Sequence, residues 1–163
     1  MRIFVTVGMG RWPFDRLLRA VAPLCGSHEV IAQLGTSSLR LPCRSYPFMP
    51  FHDVLQEIIQ ADIVITHAGN TVRLVQRKIK VPIAMAREAA LGEMGNNHQV
   101  AYLRAEERTG RVIPVWNAAD LDHAVAYFPT LQAEIMSKQA LPASASAEAI
   151  METMNRLCQK WVR

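Results

Sequence analysis

Two short runs gather the side chains best suited to chemistry. The first is His67-Ala68-Gly69-Asn70-Thr71, which closes the apolar, β-branched stretch Ile63-Val64-Ile65. It combines an imidazole, a glycine that exposes backbone, and two short polar side chains where a helix can begin. The first N–H groups of a helix are unpaired and carry partial positive charge, so this set suits a phosphate. A lone histidine at a strand end often only caps or fills; its neighbours make ligand contact the stronger reading. The second run is Arg87-Glu88-Ala89-Ala90-Leu91-Gly92-Glu93-Met94-Gly95-Asn96-Asn97-His98-Gln99. Arg87 can pair with phosphate, while Glu93, Asn97, His98 and Gln99 can hydrogen-bond hydroxyl groups as carbohydrate sites require. The plain alternative is a surface loop with a helix cap at Asn97. A third feature is the turn Val7-Gly8-Met9-Gly10-Arg11-Trp12-Pro13, whose glycines serve either a tight turn alone or the approach of a ligand at Gly8. Pro13 stands where the dinucleotide fingerprint needs glycine, which removes that motif. No carboxylate stands out as a general base, and Glu93 is the candidate.

These residues need elements to position them. The strand-like Ile3-Phe4-Val5-Thr6-Val7 leads into a helix whose Phe14, Leu17, Leu18 and Val21 share one face, with Pro13 suited to its first turn. A second strand is predicted over 29–34. The proline-bearing segment 41–50 reads as a loop with a short strand around 44–46. Val54, Leu55, Ile58 and Ile59 make a helix stripe ahead of the strand at Ile63. A helix over 71–78, a strand over 81–84, an irregular loop over 85–97 and a helix over 98–107 follow, with Gly110 as a stop signal. The remaining expectations are a strand over 111–115, a short helix over 118–127, a linker over 141–146 and a C-terminal helix. Alternation of strand and helix predicts an α/β fold: a Rossmann-like, mostly parallel sheet with helices on both faces.

Length and composition narrow the function classes. With 163 residues, 50% hydrophobic and 20% charged, the chain suits one globular α/β domain, taken as residues 1–140, with 141–163 as linker and docking helix. No run reaches the ~20 apolar residues that a membrane span needs, and no signal peptide is evident. Cys25, Cys43 and Cys158 match neither a disulfide framework nor a zinc site, so a cytoplasmic setting without a metal is expected. The net charge of +4 is scattered except for Arg73, Arg77, Lys78 and Lys80, which read as a solvated helix face, the alternative being contact with an anionic membrane surface or an acidic partner. Without a reader motif or aromatic ladder, nucleic acid is not expected as a partner. The C-terminal stripe Ile150, Met151, Met154, Leu157, Cys158 and Trp161 serves either core packing or an adaptable interface.

Taken together, Phe4-Val5-Thr6-Val7-Gly8 with Pro13 to Leu17, Gln33 with Gly35, Ala61 to Gly69, Val81-Pro82, Arg87, Gly92-Glu93 and Asn97-His98-Gln99 resemble the C-terminal-domain family of glycosyltransferase family 28. The likeness runs from Met1 to about Leu121 and is greatest to single-domain members. These include the catalytic subunit of the two-part UDP-GlcNAc transferase and bacterial polysaccharide-synthesis counterparts. The resemblance implies the C-terminal half of a GT-B glycosyltransferase, binding a UDP-sugar as donor substrate without a cofactor. A separate membrane-anchored subunit would hold the acceptor and be met through the C-terminal helix, giving peripheral membrane association. It implies that His67, Gly69 and the following turn meet the diphosphate, and that Arg87, Glu93, His98 and Gln99 lie near phosphates and sugar. Catalysis would be largely electrostatic. The chain departs from the family pattern at Thr71, where glycine is usual, at Val72, where a hydroxyl is usual, and at Val75, where a glutamate grips the ribose. Two functions follow as expectations. One is the donor-binding catalytic subunit of an inverting glycosyltransferase acting on a lipid-linked or polysaccharide acceptor. The other is a non-catalytic nucleotide-binding or scaffolding module derived from that fold.

Overall fold

The computed structural model describes residues 1–139, and the expected linker and C-terminal helix lie outside the described residues. Six parallel strands form the sheet: β1 (Arg2–Thr6), β2 (Glu29–Gln33), β3 (Arg44–Tyr46), β4 (Ile63–His67), β5 (Ile83–Met85) and β6 (Ile113–Pro114), in the order β3-β2-β1-β4-β5-β6. This is the doubly wound Rossmann order, and the chain reverses direction across the sheet between β1 and β4. The helices are α1 (Asp15–Val21), α2 (Phe51–Gln60), α3 (Asn70–Arg77), α4 (His98–Arg108), α5 (Leu121–Ala126) and α6 (Phe128–Gln139).

Strand alternation divides the core between two faces. Ile3, Val5, Val30, Ala32, Ile63, Ile65 and Ile83 point toward Leu17, Leu18 and Val21 of α1, Val125 of α5 and Phe128 of α6. On the opposite face Phe4, Ile31 and Val64 meet Ile58 of α2 and Val75 of α3, while Ala84 meets Val72 of α3 and Leu103 of α4. Helices therefore cover both faces, as the alternating pattern predicts.

Several boundaries move for physical reasons. β5 starts after Pro82 and β6 is only two residues long, because proline has no N–H to give a ladder; Ile113 N–H and Val115 N–H carry the pairing to Pro82 and Ala84 carbonyls. The helix expected over 118–127 is a 3₁₀ turn at Ala118–Asp120 followed by α5, with a break at Tyr127. Beyond that break the chain continues into α6, with Pro129 in its first turn and Leu131 and Ile135 against the core. Within the α2 stripe, Ile58 is fully buried but Ile59 is 47% exposed.

The basic segment is not simply a solvated face. Arg73 approaches Glu106 of α4 at 3.5 Å, and Lys80 Nζ donates to the carbonyls of Ile58, Ile59 and Ala61 at 2.9, 2.7 and 2.6 Å. Lys80 thus caps the C-terminus of α2, where orphan carbonyls carry partial negative charge. Burial pulls its ammonium below the ordinary lysine range, and Asp62 opposes that shift.

Candidate functional site

A cleft of about 310 Å³ opens at the carboxyl ends of β2, β1 and β4, between the N-terminal ends of α2 and α3. Its position beside the β1/β4 reversal is where open α/β sheets hold ligands. Met9, Met49, Phe51, Val54 and Leu74 provide its apolar wall, and Thr6, Gln33, His67, Asn70 and Thr71 its polar surfaces.

The polar floor follows from strand register. Phe4, Ile31 and Val64 face α2 and α3, so Thr6, Gln33 and Thr66, two residues further along each strand, face the same way beyond the end of the apolar layer. All three are buried. Thr66 Oγ1 donates to the Thr6 carbonyl at 2.9 Å, Thr6 Oγ1 donates to Gln33 Oε1 at 3.2 Å, and Gly8 N–H donates to Thr6 Oγ1 at 3.1 Å. Reading the sequence alone does not single out Thr6, Gln33 or Thr66 as a set. Their signal is a polar residue at the end of each of three adjacent apolar strands, legible once the register is known.

His67 stands at the end of β4, half-buried, with the ring held between two glycines. A Cβ on Gly8 would lie 2.5 Å from His67 Cε1, and one on Gly69 would lie 2.5 Å from His67 Nε2. Gly8 also has φ +78°, a conformation that L side chains rarely adopt. Burial, and secondarily the Arg87 guanidinium, hold the imidazole far below its ordinary 6.5, at about 4, while a bond to the Thr6 backbone works the other way. The ring is neutral at physiological pH. Thr66 Oγ1 gives its proton to the Thr6 carbonyl and lies 3.4 Å from His67 Nδ1. Gly69 caps α3 with extended backbone, and Asn70 and Thr71 begin the helix at the cleft wall. In the first turn of α3 the Val72 N–H bonds back to the Gly69 carbonyl at 3.0 Å, while the N–H groups of Asn70 and Thr71 have no helix carbonyl before them.

The departures at Val72 and Val75 have a packing explanation. Both are fully buried against the sheet and its neighbours, so neither position presents a side chain to the cleft.

The 85–97 loop is placed differently from the expectation for a ligand-facing surface. Arg87 is 2% exposed: its Nη2 donates to the carbonyls of Val7 at 2.9 Å and Trp12 at 3.2 Å, and its guanidinium stacks 4.7 Å from the Phe14 ring centroid. Burial lowers its pKa to about 10, with Glu93 opposing. Gln99 Oε1 accepts from Arg87 N–H at 3.1 Å. Glu93 receives Arg16 Nε and Nη2 at 2.9 and 2.8 Å and the Glu88 N–H at 3.0 Å. Asn97 Oδ1 accepts from Ala89 N–H at 2.9 Å rather than capping α4, and exposed His98 contacts Asn96 through its side chain. Thus Gly8, His67, Gly69, Asn70 and Thr71 converge on the cleft region, whereas Arg87, Glu93 and Gln99 fasten the 85–97 loop to the first βα turn. Arg16 and Glu93 also border a wider hollow of about 690 Å³ with Pro13, Arg19, Leu91 and Ala119. Among the described residues no group of three His, Cys, Asp or Glu side chains is placed to hold a metal ion.

No family model and no curated protein matches this sequence. Among solved structures the spinosyn forosaminyltransferase SpnP is similar, with a TM-score of 0.56 at 17% identity, over 96% of this chain and 44% of that one. The chain therefore has a glycosyltransferase-like α/β fold and spans less than half the length of that protein. No helix among the described residues is long and apolar enough to cross a membrane.

Proposed function

We propose that this domain is the donor-binding half of an inverting glycosyltransferase of the family 28 kind, transferring a sugar from a UDP-sugar to a lipid-linked or polysaccharide acceptor held by a membrane-anchored partner. The observation that carries this reading is the neutral His67 ring seated between Gly8 and Gly69 at the start of α3. The two glycines make room for the ring at the crossover point, and the start of α3 beside it offers a diphosphate the N–H groups of Asn70 and Thr71 and a favourable helix dipole. In such a site the developing charge on the leaving diphosphate is stabilised by fixed dipoles already in place. Asn70 and Thr71 supply further short polar groups. Glu93 is bound by Arg16 and the Glu88 amide, so in this reading the partner supplies the base that activates the acceptor.

A second reading, a nucleotide-binding or scaffolding module without catalysis, is favoured by one feature. Neither a carboxylate nor a cationic side chain lines the cleft among the described residues. Titration calorimetry with UDP, UDP-GlcNAc, UDP-glucose and a TDP-sugar tests the donor site. His67→Ala is expected to weaken nucleotide-sugar binding by about tenfold, or ~1.4 kcal/mol. Unchanged affinity would put the ligand elsewhere. Sugar transfer by the complex with its partner, absent for either component alone, separates the enzyme from the module.

A further inference from the structure

The cleft floor contains a donor that the protein itself does not use. Gln33 is 2% exposed yet lines the cleft. Its amide cannot be turned around without cost. Thr6 Oγ1 already accepts the Gly8 N–H, so its own proton needs an acceptor, and Gln33 Oε1 is that acceptor. With the oxygen so fixed, Nε2 is the free end of the amide, and it makes no hydrogen bond within the described residues. Nor is it among the buried polar atoms left without a partner, so it reaches open space, and the open space beside Gln33 is the cleft. A buried amide held in one orientation with its donors directed into a cavity is matched to an acceptor on a ligand.

The surroundings specify what carries that acceptor. Met9, Met49, Phe51, Val54 and Leu74 are apolar, and no charged side chain among the described residues lines the cleft. At Gln33 on β2, two strands away from the β4 end that leads into α3, a phosphate would find no cation. A sugar ring, with hydroxyls all round, would leave most of them unpaired against this wall. A flat heterocycle with apolar faces and a carbonyl on its edge satisfies both the wall and the amide. We propose that Gln33 is a specificity-determining residue that reads a carbonyl oxygen on the base of the nucleotide donor, favouring a uracil-type edge over one presenting an exocyclic amine. This rests on the nucleotide-sugar reading above and adds to it where the base sits and what selects it.

The test uses the full chain and titration calorimetry with UDP, CDP and inorganic pyrophosphate. The wild type is expected to prefer UDP to CDP by about tenfold, the effect of one well-placed hydrogen bond. Gln33→Met is expected to lose that preference and weaken UDP by about tenfold while leaving pyrophosphate affinity unchanged. Gln33→Glu keeps an acceptor for Thr6 and replaces the donor with an acceptor, so it should shift preference toward the CDP amine. Circular dichroism on each variant establishes that it is folded, and Gln33→Glu serves if Gln33→Met is not. UDP affinity and base ranking unaltered in a folded variant would overturn the proposal while leaving the donor site standing, as would pyrophosphate weakened as much as UDP. A wild type that binds none of the three ligands would overturn both readings.

Discussion

Lowering the pH is the most direct way to probe His67. The ordinary imidazole titrates at 6.5, whereas burial and the neighbouring Arg87 bring His67 to about 4 in the folded chain. At pH 7 the ring is neutral in both folded and unfolded states, so its contribution is intact. Between 6.5 and about 4 the unfolded chain takes up a proton that the native ring refuses, and stability falls as pH falls. The loss attributable to this one group is at most about 3 kcal/mol by the time the pH reaches the folded value. His67→Gln retains bulk and polarity without titrating. Urea denaturation at several pH values between 7 and 4 should show the wild type losing about 2–3 kcal/mol more than this variant. Proton NMR of the His67 Cε1 resonance should give a midpoint near 4. A phosphate group placed against Nε2 would favour the imidazolium, so UDP should raise that midpoint and bind more tightly as the pH is lowered. A midpoint of 6.5 in the free protein, or identical pH dependence of the two chains, would refute the reasoning.

Two further outcomes follow from backbone geometry. Ile79 is a β-branched residue at φ 57°, 78% exposed, in the turn that ends α3, so Ile79→Gly should stabilise the fold by about 1 kcal/mol and raise the denaturation midpoint; a lower midpoint would show that its side chain contributes more than the strain costs. Gly8→Ala should destabilise by about 1–3 kcal/mol and disturb the His67 ring, whereas Gly10→Ala, with open space around the added carbon, should be close to neutral; equal effects by thermal denaturation would contradict the packing described at Gly8.

Much of the fold is legible in periodicity. The run Ile63-Val64-Ile65 reads as a buried parallel strand and is one, and even the three-residue β3 lies where the sequence suggests, within a proline-bearing loop. α6 is not legible, because Tyr127-Phe128-Pro129 reads as the end of a helix when it is a break and a restart. The same limit governs the site. His67 and Gly69 are found from local sequence because a strand-to-helix turn is local. The floor of Thr6 and Gln33, with Thr66 buried beside it, depends on pairing between strands distant in sequence. The internal position of Arg87 and Glu93 depends on partners 70 to 80 residues away, in Val7, Trp12 and Arg16. A charged loop residue gives no local sign of whether it faces solvent or its own fold.

The ammonium of Lys80 joins the end of α3 to the end of α2 at the side of the sheet opposite the cleft. Each helix is thus pinned at its far end, and α3 is held a second time near the cleft, by Val72 in the core and Arg73 beside Glu106. The two walls of the cleft are therefore unlike: one is an arm about 15 Å long clasped at Lys80, the other a helix fastened along its length.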